Sequence, residues 1–215
     1  MQPRCLRTYV ALLAMSSLNA SGQSASFGAS TPVANVTFSD LRAVEIVKTL
    51  AERYRVVIGM SGVLLMGSDD RLVSVSVQEG TIKDVLDAFV RADPRFTWRQ
   101  EDDGAIAVVT KSASLPVLDV VVKSFDVDHP DRYSLTRRII NLPEVKEWLH
   151  KNACQMIEII DGVGHPAGPD TWPIELHLKD VRLRAVFNRL ALESKTYFWT
   201  AAQIDQNPCT INIRP

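Results

Sequence analysis

The segment VSVSVQEGTIKDVLDAFVRADPRFTW, which begins at Val73, lies without a gap over IELHLKDVRLRAVFNRLALESKTYFW, which begins at Ile174, at an offset of 101 residues. Val73, Val75 and Val77 meet Ile174, Leu176 and Leu178. Ile82, Val85, Leu86 and Phe89 meet Leu183, Val186, Phe187 and Leu190, and Trp98 meets Trp199. The matched apolar positions recur first at a period of two and then at helical spacing, so the copied object is a strand, a helix and a strand. A chain that repeats such a unit folds as a tandem of small domains, and two copies of this length are too long and too few for a solenoid.

Tracing the offset outwards predicts an α+β protein of two β-α-β-β-α-β-β units in tandem, at residues 35–111 and 117–215. In the first, Val36–Phe38 is a short strand. Ser39 or Asp40 caps a helix with the stripe Leu41, Val44, Val47, Leu50 and Ala51, and Tyr54–Ile58 is the next strand. Met60–Met66 reads as an irregular link. Thr81 with Asp84 three residues on makes a capping box for the helix after the Val73–Val77 strand, and Asp93-Pro94 stops it. Phe96–Arg99 and Ala105–Thr110 form a hairpin around the acidic turn Gln100–Gly104. In the second unit, Leu118–Val122 is a strand followed by the turn-prone run Asp126–Asp131. Leu142, Val145, Trp148 and Leu149 form a helix stripe, Met156–Ile160 a strand, Asp161–Pro173 a Gly/Pro loop, and Ile211–Ile213 the closing strand. The copies match most closely in their back halves.

The N-terminus departs from this plan. Arg4 and Arg7 precede the apolar stretch Tyr9–Leu18, which is too short to span a bilayer, and small residues follow it. Residues 1–25 therefore read as a cleavable secretory signal with cleavage after Gly22 or Ala25, and residues 26–34 as a flexible leader. The mature chain is expected in the periplasm or otherwise exported, with no membrane span. Cys5 goes with the signal, leaving Cys154 and Cys209, which in an oxidising compartment form either a disulfide or two separate thiols. A net charge of −1 supplies no basic field for nucleic acid.

No motif proposes a catalytic or cofactor site: there is no GxSxG, HExxH, Walker A or GxGxxG run. Asp126, Asp128, His129 and Asp131 place oxygen ligands at alternate positions, yet lack the glycine and distal glutamate of a calcium loop and are read as a polar turn. Asp161, His165 and Asp170 lie in the Gly/Pro loop, which needs no ligand to justify it, so no metal or cofactor is assigned. Phe96 and Trp98, and again Tyr197, Phe198 and Trp199, follow the second helix of each unit. They are read as core packing, with a stacking platform for a glycan or other small ligand as the alternative, and a hydrolase built on the Asp161 loop as the weakest reading.

VSVSVQEGTIKDVLDAFV followed by FTW and AIAVV, with Leu41–Ile58 in front, resembles the short N-terminal domain of secretins and TonB-dependent transducers. Ile174–Ile213 resembles it again. The resemblance implies a periplasmic domain that binds a protein partner in the cell envelope. Because no pore domain or β-barrel follows, it implies an adaptor and not a channel. Small α+β units leave sheet edges that accept a partner strand. The edges expected here are the two closing strands, with Ile106 and Val108 in the first unit and Ile211 and Ile213 in the second.

Overall fold

The structure, a computed structural model, describes residues 28–62, 71–112, 114–130, 132–157, 173–206 and 209–214. The expected signal peptide lies outside the described residues. The fold is mixed α+β. Its order is β1 (Pro32–Arg42), α1 (Ala43–Tyr54), β2 (Ile58–Gly62), β3 (Leu72–Thr81), α2 (Ile82–Ala92), β4 (Phe96–Gln100) and β5 (Ile106–Thr110). A 3-10 turn at Pro116–Asp119 leads into β6 (Val121–Asp128), α3 (Arg132–Ile140), α4 (Pro143–Lys151) and β7 (Cys154–Ile157). The chain ends with β8 (Glu175–Arg182), α5 (Leu183–Glu193), β9 (Phe198–Gln206) and β10 (Cys209–Arg214). None of the described helices is long and apolar enough to cross a membrane.

The helices form where apolar stripes and caps coincide. Thr81 and Asp84 make the capping box of α2: Asp84 Oδ2 accepts the Thr81 backbone N–H at 2.7 Å and its hydroxyl at 2.8 Å. Ile82, Val85, Leu86 and Phe89 are then buried on one face, each contributing about 1.5–3 kcal/mol by leaving water. α5 repeats α2 at the 101-residue offset with the same length, eleven residues, and buries Leu183, Val186, Phe187 and Leu190.

Several local expectations shift. The first helix begins at Ala43, not at the Ser39/Asp40 cap, because β1 stays paired with β3 as far as Arg42 opposite Leu72, passing an irregularity in register at Asp40, where φ is 52°. The described part of the leader, from Gly28, is tied to the fold. The Ala29 and Thr31 carbonyls accept the Lys83 and Ile82 N–H groups at 2.8 and 2.9 Å, and Val33 is buried. Tyr54 closes α1 instead of opening a strand, and Arg55 turns the chain through φ 53°, so the strand falls at Ile58–Gly62, partly in the expected link. The expected polar turn from Asp126 is strand as far as Asp128, since pairing with β8 buries Phe125 and Val127.

Six strands form one sheet in the order β4-β5-β2-β9-β10-β7, while β1–β3 and β6–β8 are separate antiparallel pairs. β4–β5 and β9–β10 are antiparallel hairpins, and β2 and β7 run parallel to β5 and β10. Each half thus reads first hairpin strand, second hairpin strand, lone strand. The halves join head to tail through parallel pairing of β2 with β9, Ile58 opposite Phe198 and Gly59 opposite Trp199. At the far end, Cys154 of β7 and Cys209 of β10 are directly opposite and bonded as a disulfide.

Neighbours in register share a face, and faces alternate along a strand. Ile58, Met60, Ile106 and Val108 belong to the core containing α1 and α2. Trp199, Ala201, Ile211 and Ile213 belong to the core of α3, α4 and α5, which also takes in Val57 and Ala105. Because Trp199 faces Gly59 and not Ile58, the two cores lie on opposite faces of one continuous sheet. This placement corrects the expected docking edges: β5 and β10 are interior strands, with Ile106, Val108, Ile211 and Ile213 only 1%, 0%, 1% and 2% exposed. The lone strands β2 and β7 cover them, a parallel pairing that strand patterning does not announce.

Gly59 lets the halves approach. A Cβ at this position would meet Trp199 Cζ2 at 2.2 Å and Cε2 at 2.3 Å. Gly59→Ala is expected to destabilise the fold by about 1–3 kcal/mol through overpacking; urea unfolding followed by circular dichroism measures the change.

Candidate functional site

The described polar residues among those singled out from sequence form pairs on the exposed side of β6 and β8. Asp126 Oδ2 accepts the Ser124 hydroxyl at 2.5 Å, and Asp126 Oδ1 lies 3.0 Å from Nδ1 of His177 on the neighbouring strand. Nε2 of the same histidine contacts Glu175 at 3.3 Å, and Asp128 contacts His129. All are exposed. Asp131, Asp161, His165 and Asp170 lie outside the described residues. Among the described residues no group of three or more His, Cys, Asp or Glu is placed to hold a metal.

Hydrogen bonds from Asp126 first, and then Glu175, raise the His177 pKa above its ordinary 6.5, while Ser124 and then His177 hold Asp126 below the usual carboxylate range. A raised folded-state pKa means that this contact stabilises the fold fully below the unfolded value and fades as pH climbs through the folded one. Asp126→Asn is expected to lower the His177 midpoint towards 6.5, as followed by the imidazole Cε1–H resonance in an NMR titration.

The aromatic cluster of the second half is employed inside the molecule. Tyr197, just before β9, packs against both cores, and Phe198, the first residue of β9, packs against the core of α1 and α2 although it belongs to the other half. Trp199 is 2% exposed and donates its indole N–H to Asn188 Oδ1 at 2.9 Å. Asn188 in turn donates to Asp103 Oδ2 at 3.0 Å. One helical turn earlier, the side chain of Arg184, 8% exposed, reaches Glu101 at 3.1 Å and Asp119 at 3.0 Å. The acidic turn of the first hairpin is therefore gripped by α5 of the second half. Sequence reading missed this grip. Its signal was present as two polar residues, Arg184 and Asn188, on an otherwise apolar helix face and a Glu-Asp-Asp run in the turn.

The same positions in the first half are arranged differently. Lys83, Asp87 and Trp98 stand 101 residues before Arg184, Asn188 and Trp199. Asp87 accepts the Trp98 indole N–H at 2.9 Å, matching the Asn188–Trp199 bond, and pairs with Lys83 at 2.6 Å. The Lys83 ammonium, then the Trp98 indole, hold the Asp87 carboxyl below its ordinary range. Yet Trp98 remains partly exposed, because β4, the counterpart of β9, ends the sheet. At the junction the Tyr197 carbonyl accepts the Ile58 N–H at 2.9 Å. On β4, ladder bonds Glu101 N–H to Ala105 and Lys111 N–H to Arg95 turn the odd-numbered residues towards β5. By alternation, Phe96 and Trp98 aim carbonyls outward, and Trp98 and Gln100 aim N–H groups outward. Among the described residues no strand pairs with this side of β4.

No family model, curated protein or solved structure matches the chain.

Asn188→Asp keeps an acceptor for the Trp199 indole but sets a second carboxylate against Asp103. It is expected to cost about 1–3 kcal/mol, and adding Asp103→Asn should restore most of the loss in a double-mutant cycle by urea unfolding.

Proposed function

We propose that this chain is an exported, non-enzymatic interaction module of the cell envelope that takes an extended segment of a protein partner onto the outer edge of β4. The observation that carries the reading is the contrast between equivalent strands. β9 is covered by β2 and its tryptophan is buried, whereas β4 presents the same backbone groups and a partly exposed tryptophan with no strand beside them among the described residues. An open edge with an apolar ring at its centre suits strand addition, in which backbone hydrogen bonds supply affinity and alternate side chains supply selectivity. The likeness of both halves to the short N-terminal domains of secretins and TonB-dependent transducers supports the same reading, as does the signal-like N-terminus.

One experiment tests location and edge together. The full chain is produced in a bacterial host, recovered from the periplasmic fraction and cross-linked in envelope extract, beside Gln100→Pro. Proline removes an outward N–H while leaving the β4–β5 ladder intact. The expected result is a mature chain beginning near Gln23 and a cross-linked partner that the variant, with unchanged circular dichroism, no longer holds. A chain retained in the cytoplasm, or equal capture by both proteins, overturns the proposal.

A further inference from the structure

Resting on the β4 docking reading, we infer that the occupant of β4 is an extended segment running parallel to it with a glycine opposite Trp98, its flanking residues lying on the face of Thr97 and Arg99.

The molecule contains a template for this contact. Trp199 is fixed by Asn188 on α5, eleven residues before it, and so overhangs the neighbouring strand at Gly59, where even a Cβ would come within 2.2 Å of the ring. Trp98 is fixed by Asp87 on α2, again eleven residues before it, with the same 2.9 Å bond. The indole is therefore held over the open side of β4 by the equivalent anchor, and a parallel strand arriving in the equivalent register meets it in the same way. Only a residue without a side chain fits beneath it. The residues on either side of that glycine face the other way, as Ile58 and Met60 do beside Gly59.

The outer edge also says what the occupant is not. At the β2–β9 junction, Phe198 points into the core of the other half, so joining two complete halves needs an apolar residue at that position. Its counterpart on β4 is Thr97, followed by Arg99, whose side chain is 51% exposed and paired with Glu101 at 3.0 Å. This polar face does not reproduce the apolar seal needed to join another whole domain or a second copy. Arg184, which grips an acidic turn beside β2, is matched by Lys83 on α2, already paired with Asp87 in the same helix. A bare strand satisfies the backbone groups and covers Trp98 without asking more of this surface.

The chain's own β2 provides the probe. A fluorescently labelled peptide carrying Arg53–Gly62, and the same peptide with Gly59→Val, are titrated into the full mature chain and binding is read by anisotropy. The expected result is saturable binding of the glycine peptide and at least about tenfold weaker binding of the valine peptide. Gln100→Pro should abolish binding, while Trp98→Ala should bring the two peptides to within about twofold of each other by removing the overhang, an effect that general loss of structure would not produce. Equal binding of both peptides to the wild-type chain overturns the inference, as does unaltered binding to Gln100→Pro, which would place the peptide elsewhere. No binding of either peptide, with a partner still lost on Gln100→Pro, removes the glycine rule and leaves the docking edge standing. Dimers in sedimentation that depend on β4 and resist the peptide identify a second copy as the occupant and also overturn it.

Discussion

The parallel seam between β2 and β9 is the contact on which the rest of the molecule depends. Two three-stranded sheets, each with one buried face, would each end in an exposed strand; pairing them turns two marginal sheets into one of six strands. The seam admits no side chain at Gly59, because Trp199 occupies the space. It also sets the cores on opposite faces, so that residues on the outside of one half become inner surface for the other: Val57 and Ala105 enter the core of the second half, and Phe198 packs against the core of the first. The acidic turn and α5 follow from this geometry. Once the halves interlock, Arg184 is nearly out of water, and its guanidinium is met there by Glu101 and Asp119 within hydrogen-bonding reach.

Much of the local architecture was legible in the residues. The period-two run from Val73, the Thr81–Asp84 box and the stripe Ile82, Val85, Leu86 and Phe89 each carry a strand, cap or helix signal that later packing leaves unchanged. Signals that depend on pairing were not. β1 runs on past its apolar core to Arg42 because β3 lies beside it, and β6 absorbs an acidic run that looks like a turn because β8 does the same. The ends of strands are decided by partners, and partners are distant in the chain.

The place of each strand in the sheet was less legible for a related reason. Ile106, Val108, Ile211 and Ile213 close their units in sequence order, but order along the chain is not order across a sheet. The lone strand returns beside the closing strand and buries it, leaving the first hairpin strand at the edge. The aromatic residues fall on or next to β4 and β9, one at the end of the sheet and one at the seam, without distinguishing them in sequence. That distinction lies in short polar residues: Asn188 joins Trp199 to Asp103 across the seam, whereas Asp87 joins Trp98 to Lys83 within its own half.

Duplication followed by head-to-tail joining has a consequence that neither half has alone. A self-complementary contact would consume both copies of the edge. A heterologous contact between unlike surfaces consumes one first-strand edge and leaves the other. The anchoring of the indole by the helix position eleven residues earlier is retained in both halves. The polar setting is not: an amide that tolerates burial stands at 188 and a carboxylate kept near water by a lysine stands at 87. Asn188 bridges Trp199 to Asp103, an arrangement a carboxylate could not make without facing another of like charge; Asp87 does not need it, because its lysine partner lies on the same helix. The substitutions thus set two similar tryptophans apart, one in the interior seam and the other on the first strand of the sheet.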